Sequence, residues 1–189
     1  MSILLRPEFE PQYASMLTLL MGLSVAQAVK ELDVEVSIKW PNDIYWNEKK
    51  ICGILIENDL SGHHIGRSIS GIGVNINQET FRSNAPNPVS LKQITGQEHE
   101  RYLIFANIMR RLKEYYILLQ TDSSGDAANC IAERYARSLF RREGFHRYAD
   151  ADGEFLARLL CVEPDGRFIL KDQAGKVRGY LFTEVQYIL

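Results

Sequence analysis

Two lysines, an aspartate and a glycine that stand close together in the sequence could bind and activate an anionic ligand. Lys39 precedes a Trp-Pro-Asn-Asp turn that ends at Asp43, and Lys50 is followed by Gly53 in a β-rich run. Ammonium groups suit a carboxylate or a phosphate, and a glycine inside a strand often marks a bulge or a ligand close to the backbone. The pattern therefore predicts a site for an anionic, phosphate-bearing ligand.

A second β-rich run repeats the glycine pattern. Gly71 and Gly73 flank Ile72, and Asn75 follows them. If this strand lies beside the one that contains Gly53, both strands lack side chains at a shared place, where a flat ligand could lie. The run is not a dinucleotide fingerprint, because the third glycine and the following helix are absent. Asn75 must bond either the nearby backbone or the base edge of a ligand.

The same residues also have an interpretation without chemistry. Pro41, Asn42 and Asp43 are typical of an ordinary turn whose polar side chains bond the nearby backbone. Lys39 and Lys50 would then be solvated surface lysines. Residue type alone leaves both interpretations open, and the neighbouring glycines favour the first.

The elements predicted to position these residues are strands joined by turns, with helices between them. Periodicity predicts strands at 2–6, 34–39, 44–46, 50–57 and 67–77, with a turn at 59–64. Helices are predicted at 12–32 and at 126–139. A third helix is predicted to begin at a capping box formed by Thr95 and Glu98 and to end at about residue 120. A loop is predicted at 80–91.

The chain changes character at Gly144. Short strands are predicted at 154–162, 167–171, 177–182 and 184–188, with Pro-Asp-Gly and Gln-Ala-Gly turns between them. Regular turns between short alternating strands are typical of a small β-barrel. Residues 144–189 are therefore predicted to form a separate module.

Composition argues against several classes of function. The chain has 189 residues, of which 46% are hydrophobic and 24% charged, and its formal net charge of −2 offers no bulk attraction to nucleic acid or an anionic membrane. The histidines lack metal-ligand spacing. Three cysteines without a C-x-x-C pair indicate a reducing compartment, and the first residues do not form a signal peptide. A cytoplasmic location is predicted.

Three motifs resemble, in order and spacing, those of the biotin protein ligase family: Lys39-Trp40-Pro41-Asn42-Asp43, Lys50-x-x-Gly53-Ile-Leu-Ile-Glu57 and Gly71-x-Gly73-Val-Asn75-Ile-Asn77. The tail is similar to the SH3-like barrel of that family in Gly153-Glu154-Phe155, Asp165-Gly166-Arg167-Phe168 and Phe182-x-Glu184-Val185. The resemblance covers essentially the whole chain. It implies an α+β fold, with a mixed or antiparallel sheet packed with helices at 1–143, like a class II aminoacyl-tRNA synthetase, and an SH3-like barrel at 144–189.

The resemblance also implies an activity. The family joins biotin to ATP, releases pyrophosphate, and passes the biotinyl group from the adenylate to a lysine of a carboxylase carrier domain. By this resemblance Lys50 meets the biotin carboxylate and the phosphate of the adenylate. Gly53 and Gly71 let the backbone approach biotin, and Gly73 belongs to the same pattern.

Further roles follow from the same resemblance. Lys39 and Asp43 are expected to act around the phosphates, Mg²⁺ and the incoming carrier lysine, with Asp43 the better candidate for Mg²⁺. Trp40 is expected to form a wall of the pocket, and Asn42 either to assist or to hold the turn. Asn75 is expected to hydrogen-bond adenine. The expected ligands are biotin, ATP and Mg²⁺, and the expected partner is the carrier domain.

By this resemblance the chain is expected to lack the N-terminal part of the family's catalytic domain, so that the domain at 1–143 is N-terminally truncated. No Gly-Arg-Gly-Arg segment, which the family uses to close over biotin and the adenylate, occurs in the sequence. We expect weak or no activity of this chain alone, and an apolar patch or a bare sheet edge.

The chain could be a fragment or a relic. A non-catalytic module that docks a carrier domain or a ligase protomer therefore remains an alternative, as does a lipoate ligase relative. A homodimer through the sheet stays open, and no helix-turn-helix supports DNA binding.

Overall fold

The computed structural model describes residues 1–7, 14–61, 64–82, 87–121, 124–163 and 165–189. Within these ranges the chain forms two antiparallel sheets and a group of helices packed on the first sheet. The prediction of helices combined with an antiparallel sheet is therefore confirmed. No helix in the described ranges is long and apolar enough to cross a membrane.

The first sheet is built from strands that precede residue 75. They are β1 (Ser2–Leu5), β2 (Ser37–Lys39), β3 (Asp43–Trp46), β4 (Lys49–Ser61) and β5 (His64–Val74). Their order is β1-β5-β4-β3-β2, and all neighbours are antiparallel. A two-residue turn joins β3 to β4, and Asn47 in that turn has a positive φ of 52°, a conformation that asparagine tolerates better than most residues.

A central helix separates the first sheet from the other long helices. The helices are α1 (Ala14–Lys30), α2 (Leu91–Thr95), α3 (Arg101–Thr121) and α4 (Asp126–Arg137). One side of α1 contacts β2, β3 and β4, and another side contacts α3 and α4. Leu17, Leu20 and Met21 are consequently 0% exposed. Each such side chain contributes about 1.5–3 kcal/mol by its burial, so α1 forms the centre of the core.

The second sheet contains the C-terminal strands. They are β6 (His146–Asp150), β7 (Gly153–Val162), β8 (Phe168–Asp172), β9 (Val177–Tyr180) and β10 (Gln186–Tyr187). Their order is β10-β6-β7-β8-β9, and all neighbours are antiparallel. The sequence analysis missed β6, because Tyr148 is the one fully buried apolar residue in this strand and no alternation marks it.

The two sheets meet at Trp40, which directly follows β2. Its indole ring stacks on Phe168 of β8, with ring centroids 4.9 Å apart and planes 16° apart. Its Nε1 atom also donates a hydrogen bond of 3.1 Å to the carbonyl oxygen of Gly166. Because the indole is only 6% exposed, this contact fixes the end of β2 against the second sheet.

Among the predicted limits that differ from the structure are those of the strand at 34–39 and of the turn at 59–64. Of the predicted strand 34–39, only Ser37–Lys39 pairs with β3, and Val34 and Val36 are buried in the connection that precedes β2, outside the sheet. The turn predicted at 59–64 is too long, because β4 continues to Ser61 and an ion pair joins Asp59 to Arg67 across the hairpin. Residues 62 and 63 of that turn lie outside the described residues, as do residues 12 and 13 of the predicted first helix.

The predicted capping box at Thr95 is wrong. Thr95 ends α2, its hydroxyl donates to the carbonyl of Leu91 at 2.9 Å, and Gly96 terminates the helix with a φ of 75°. The capping box lies instead at the start of α2, where the hydroxyl of Ser90 accepts from Gln93 N at 3.2 Å and Gln93 Oε1 accepts from Ser90 N at 3.1 Å. Polar residues precede both α2 and α3, and their spacing alone does not show which helix has the capping box.

We expect Ser90→Ala to lower the free energy of unfolding by about 1–2 kcal/mol, because it removes the cap and leaves Gln93 N and Gln78 O without their hydroxyl partner. The Ser90 hydroxyl is fully buried and also donates to Gln78 O at 2.6 Å. Urea unfolding monitored by circular dichroism measures the loss. Ser138→Ala is the control, since that hydroxyl donates only to a carbonyl one turn earlier, and its removal should cost less than about 0.5 kcal/mol. Equal losses in the two variants would contradict the assignment of the cap.

Candidate functional site

Three glycines form the floor of a cleft on the face of the first sheet. Asp43, Gly53 and Gly73 are paired across β3, β4 and β5, so they form one row. Gly71 pairs with Leu55 in the next row on the same face. The strands that carry the glycines are neighbours, as the sequence predicted, and we call Gly53, Gly71 and Gly73 the glycine floor.

A β-bulge places Lys50 on the same face as Gly53. Ile44 pairs with Cys52 and Tyr45 with Lys50, so Ile51 is one residue more than β3 can match. In a regular strand, residues three apart point to opposite faces, and the additional residue reverses this alternation. The Lys50 ammonium consequently lies above the floor and forms an ion pair of 2.6 Å with Asp43 Oδ1. The two side chains are 26% and 21% exposed, so both remain open to a ligand.

The backbone of Lys50 is fixed although its ammonium is accessible. Its N–H donates to Asn87 O at 2.9 Å, and its carbonyl accepts from Val89 N at 2.9 Å. Asn75 Nδ2 donates to the same carbonyl at 3.4 Å, and Asn75 O accepts from Leu91 N at 3.0 Å. Asn75 therefore supports the backbone behind Lys50, which is the first of the two options that the sequence left open. Its predicted contact with adenine stays a prediction.

Asn42 holds the turn onto β4. Its Nδ2 donates to Ile54 O at 2.6 Å, and its own carbonyl accepts from Ile54 N at 2.9 Å. The amide thus extends the pairing of β3 with β4 by one position and fixes Asp43 beside Gly53. A direct contact of Asn42 with ligand stays a prediction.

Lys39 occupies an aromatic environment on the same face. Its ammonium donates to Tyr45 Oη at 3.2 Å and lies 4.8 Å and 5.1 Å from the ring centroids of Tyr45 and Tyr187. Burial lowers the pKa of Lys39, although the nearby Asp43 carboxylate opposes that shift. Burial also raises the pKa of Tyr45 to about 12, with Asp43 adding to the effect. Within the described residues Lys39 forms no ion pair, so it could accept an anionic partner.

The cleft has two lobes that meet at Lys50 and Asp43. The glycine lobe, of about 490 Å³, lies over the glycine floor and is also lined by Leu55 and Met1. The tyrosine lobe, of about 550 Å³, is lined by Lys39, Trp40 and residues of the second sheet that include Tyr187. Asn42 is shared by both. One ligand could therefore extend across the ion pair from one lobe into the other.

The contribution of the C-terminal module to the cleft was not predicted from the sequence. Phe182, Thr183, Val185, Gln186 and Tyr187 line the tyrosine lobe. They come from the C-terminal module, whose position relative to the hairpin is not encoded in any short motif. The aromatic residues of the tail were the only sequence feature that could have indicated this contribution to the cleft.

Asp43 is the one carboxylate among the described residues that line the two lobes. No group of three histidine, cysteine, aspartate or glutamate side chains in the described ranges could hold a metal ion. Because Mg²⁺ is commonly bound by one or two carboxylates together with substrate phosphates, Asp43 fits such an ion only when a phosphate supplies further oxygens. The same carboxylate is already paired with Lys50, so Mg²⁺ and the ammonium would share it.

Comparison with known proteins gives a family match and relatives of one kind. Residues 1–75 match the model of the Biotin/lipoate A/B protein ligase family. Over 186 residues the chain is 29% identical to the Bifunctional ligase/repressor BirA of Bacillus spizizenii, and the match covers 95% of this chain and 55% of that protein. It is 26% identical over 185 residues to the Biotin–[acetyl-CoA-carboxylase] ligase of Paracoccus denitrificans, covering 93% of this chain and 74% of that protein. The chain thus spans about half the length of the BirA relative.

Solved structures agree with these matches. The biotin protein ligase of Aquifex aeolicus in complex with biotin and ATP superposes with a TM-score of 0.77 at 26% identity, covering 99% of this chain and 77% of that one. The biotin protein ligase of Leishmania major in complex with biotinyl-5-AMP has the same fold, with a TM-score of 0.58 at 20% identity. The expected resemblance is confirmed: in sequence and in fold the chain is similar to biotin protein ligases.

Proposed function

We propose that this chain carries the biotin- and adenylate-binding part of a biotin–[acetyl-CoA-carboxylase] ligase. Such an enzyme forms biotinyl-5′-AMP from biotin and ATP and transfers the biotinyl group to a lysine of a carrier domain. The observation that carries the proposal is the Lys50–Asp43 ion pair of 2.6 Å, which stands where the two lobes of the cleft meet. Relatives with this activity in their names support it.

The glycine lobe would hold biotin. A Cβ atom added at Gly71 or Gly73 would meet only backbone carbonyl oxygens, at 3.8 Å and 3.9 Å, so the space above these residues is free for a flat bicyclic ring. Leu55, which is 61% exposed beside Gly71, offers apolar contact. Burying Leu55 and the ring against each other would contribute to binding through the hydrophobic effect.

Lys50 would then act on the reacting groups. A biotin carboxylate that points out of the glycine lobe reaches the ammonium, which can also contact the α-phosphate of ATP. When a carboxylate oxygen attacks the α-phosphorus, the acyl–phosphate bond forms and the bond to pyrophosphate breaks, and negative charge builds on the phosphoryl oxygens. A positioned ammonium stabilises that charge more in the transition state than in the ground state. Asp43 would hold the ammonium in position until the ligand arrives.

The tyrosine lobe would take the nucleotide phosphates and later the carrier lysine. Lys39 supplies a second cation there, and Asp43 would hold Mg²⁺ together with phosphate oxygens. When bound, Mg²⁺ neutralises phosphate charge. Asn75 would contribute to adenine binding, and Trp40 would form the wall toward the second sheet.

Other expectations belong to the same proposal. The first sheet with its helices would correspond to the class II synthetase-like catalytic domain, at 1–143, and the second sheet to the SH3-like barrel, at 144–189. The partner would be a carboxylase carrier domain, with a homodimer through the sheet as a further option and no role in DNA binding. The expected location is the cytoplasm. The family model includes both biotin and lipoate ligases, so it does not separate the two substrates. The relatives with matching sequences favour biotin.

We expect Lys50→Met to weaken binding of biotinyl-5′-AMP by about 10- to 100-fold, because it removes a hydrogen bond between charged groups worth about 1.5–3 kcal/mol. Isothermal titration calorimetry of the purified chain measures the affinity. Lys30→Met is the control, since Lys30 forms a surface pair with Glu35 away from the cleft and its loss should not change the affinity. If the unmodified chain does not bind the adenylate, the proposed function fails.

A second assay separates a ligase from a docking module. The chain is incubated with ATP, Mg²⁺, biotin and a carrier domain, and the carrier is weighed by mass spectrometry. A gain of one biotinyl group that depends on Lys50 demonstrates the whole reaction. Binding of the carrier without any mass gain, with the adenylate also unbound, would favour the non-catalytic alternative.

We expect Lys39→Met to stabilise the chain at neutral pH while weakening binding of the adenylate. Burial lowers the pKa of Lys39 below its usual 10.5, so the folded state holds the proton less well than the unfolded state does. Between the folded pKa and 10.5 the unfolded state binds more protons, and the stability of the unmodified chain rises with pH. The advantage of the variant should therefore shrink as the pH approaches 10.5, as measured by urea unfolding at a series of pH values. A stability difference that does not change with pH would contradict the assigned cost of the buried cation.

A further inference from the structure

The three glycines of the floor are not equivalent. A Cβ atom at Gly71 would have Leu55 O as its nearest neighbour at 3.8 Å, and one at Gly73 would have Gly53 O at 3.9 Å, which are ordinary contacts. A Cβ atom at Gly53 would instead lie 3.2 Å from both Cε and Nζ of Lys50. It would also lie 3.6 Å from Asp43 Oδ1. Gly53 is thus the floor glycine that faces the lysine.

The lysine side chain occupies the place where a residue at position 53 would carry its own side chain. The bulge at Ile51 brings Lys50 onto this face, and the cross-strand pairing puts Asp43 directly opposite Gly53. The shortest path from Lys50 to Asp43 therefore passes over Gly53. A contact of 3.2 Å is tighter than most Cβ contacts, so alanine would move the end of the lysine by a few tenths of an ångström and a larger residue would displace it further.

We propose that Gly53 is a positioning residue for Lys50. The missing side chain leaves a slot in which the ammonium is held against Asp43, between the two lobes. Gly71 and Gly73 make room for the ligand, whereas Gly53 makes room for the lysine. This inference rests on the proposed function for its catalytic consequence, but the slot itself is a property of the chain without ligand.

The slot also limits how far the ammonium must move. With Lys50 lying over Gly53, the ammonium is between Asp43 and the glycine lobe, and both side chains are partly exposed. An oxygen of an incoming carboxylate or phosphate can replace Asp43 Oδ1 as the partner after a small rotation of the lysine side chain. A side chain at position 53 that is larger than alanine would displace the ammonium from the slot and from both partners.

The first test measures the reactivity of Lys50 without any ligand. The chain is treated with a limiting amount of an acetylating N-hydroxysuccinimide ester, and the acetylation rate of Lys50 is followed by peptide mass spectrometry in the unmodified chain, Gly53→Ala and Gly53→Val. Displacement from Asp43 should raise the rate in that order, reaching roughly two- to fivefold in the valine variant, the size expected for loss of a partly exposed ion pair. Valine suits a strand, and thermal melts establish that the variants are folded.

Gly71→Ala and Gly71→Val are the matched controls, because they add the same atoms to the same face at a distance from Lys50. They should leave the acetylation rate of Lys50 within about twofold of the unmodified chain. Asp43→Asn should raise the rate as Gly53→Val does, and combining the two should add nothing, because both act on one contact. The proposal would be overturned by an unchanged acetylation rate of Lys50 in Gly53→Val or by an equal rise in Gly71→Val. It would also be overturned if the effects of Gly53→Val and Asp43→Asn were fully additive.

The second test asks whether Gly53 acts on the ligand through the lysine. Affinities for biotinyl-5′-AMP are measured for Gly53→Ala, Lys50→Met and the double variant. We expect Gly53→Ala to weaken binding when Lys50 is present and to have no effect in the Lys50→Met background. A loss in both backgrounds would mean that Gly53 contacts the ligand directly and would overturn the positioning role. If the unmodified chain binds no adenylate, the proposed function fails while the acetylation result still decides the slot.

Discussion

The pairing of Lys50 with Asp43 depends on a one-residue mismatch between β3 and β4. Without Ile51 as an additional residue, Lys50 and Gly53 would point to opposite faces of the sheet, and the ammonium would be directed away from the cleft. The mismatch is maintained on both sides. Asn42 fixes β3 to β4 at Ile54, and residues 87–89 hydrogen-bond the backbone of Lys50 on the other side of the bulge.

The cleft also depends on the second sheet, because the tyrosine lobe exists only where the two sheets meet. Trp40 and Phe168 form one contact between them, at 4.9 Å. Arg141 forms another, since its side chain is only 12% exposed and its guanidinium donates to Ile188 O at 2.8 Å and reaches Glu48 at 3.3 Å. The contact of Trp40 holds the chain just before β3 begins. The contact of Arg141 holds the turn between β3 and β4. The hairpin that carries Asp43 and Lys50 is thereby fixed at both of its ends.

Much of the site could be predicted from the sequence because its parts are local. The spacing of Gly53, Gly71 and Gly73 indicated neighbouring strands, and the lysines indicated an anionic ligand. Gly53 indicated a bulge or a close ligand in this strand, but the position of the bulge could not be predicted, because the residue type of Ile51 does not distinguish it from a regular strand position. The burial of Lys39 against Tyr187 could not be predicted either, since these residues are 148 positions apart in the chain and meet only through the packing of the two sheets.

The central claim is that the Lys50 ammonium exchanges Asp43 for an oxygen of the adenylate above the glycine floor. A crystal structure of the chain with biotinyl-5′-AMP tests this most directly. The account predicts the biotin ring over Gly71 and Gly73, with Lys50 Nζ within hydrogen-bond distance of an oxygen at the acyl–phosphate junction. An adenylate bound elsewhere, or one bound in the cleft while Lys50 keeps Asp43 as its only partner, would contradict it.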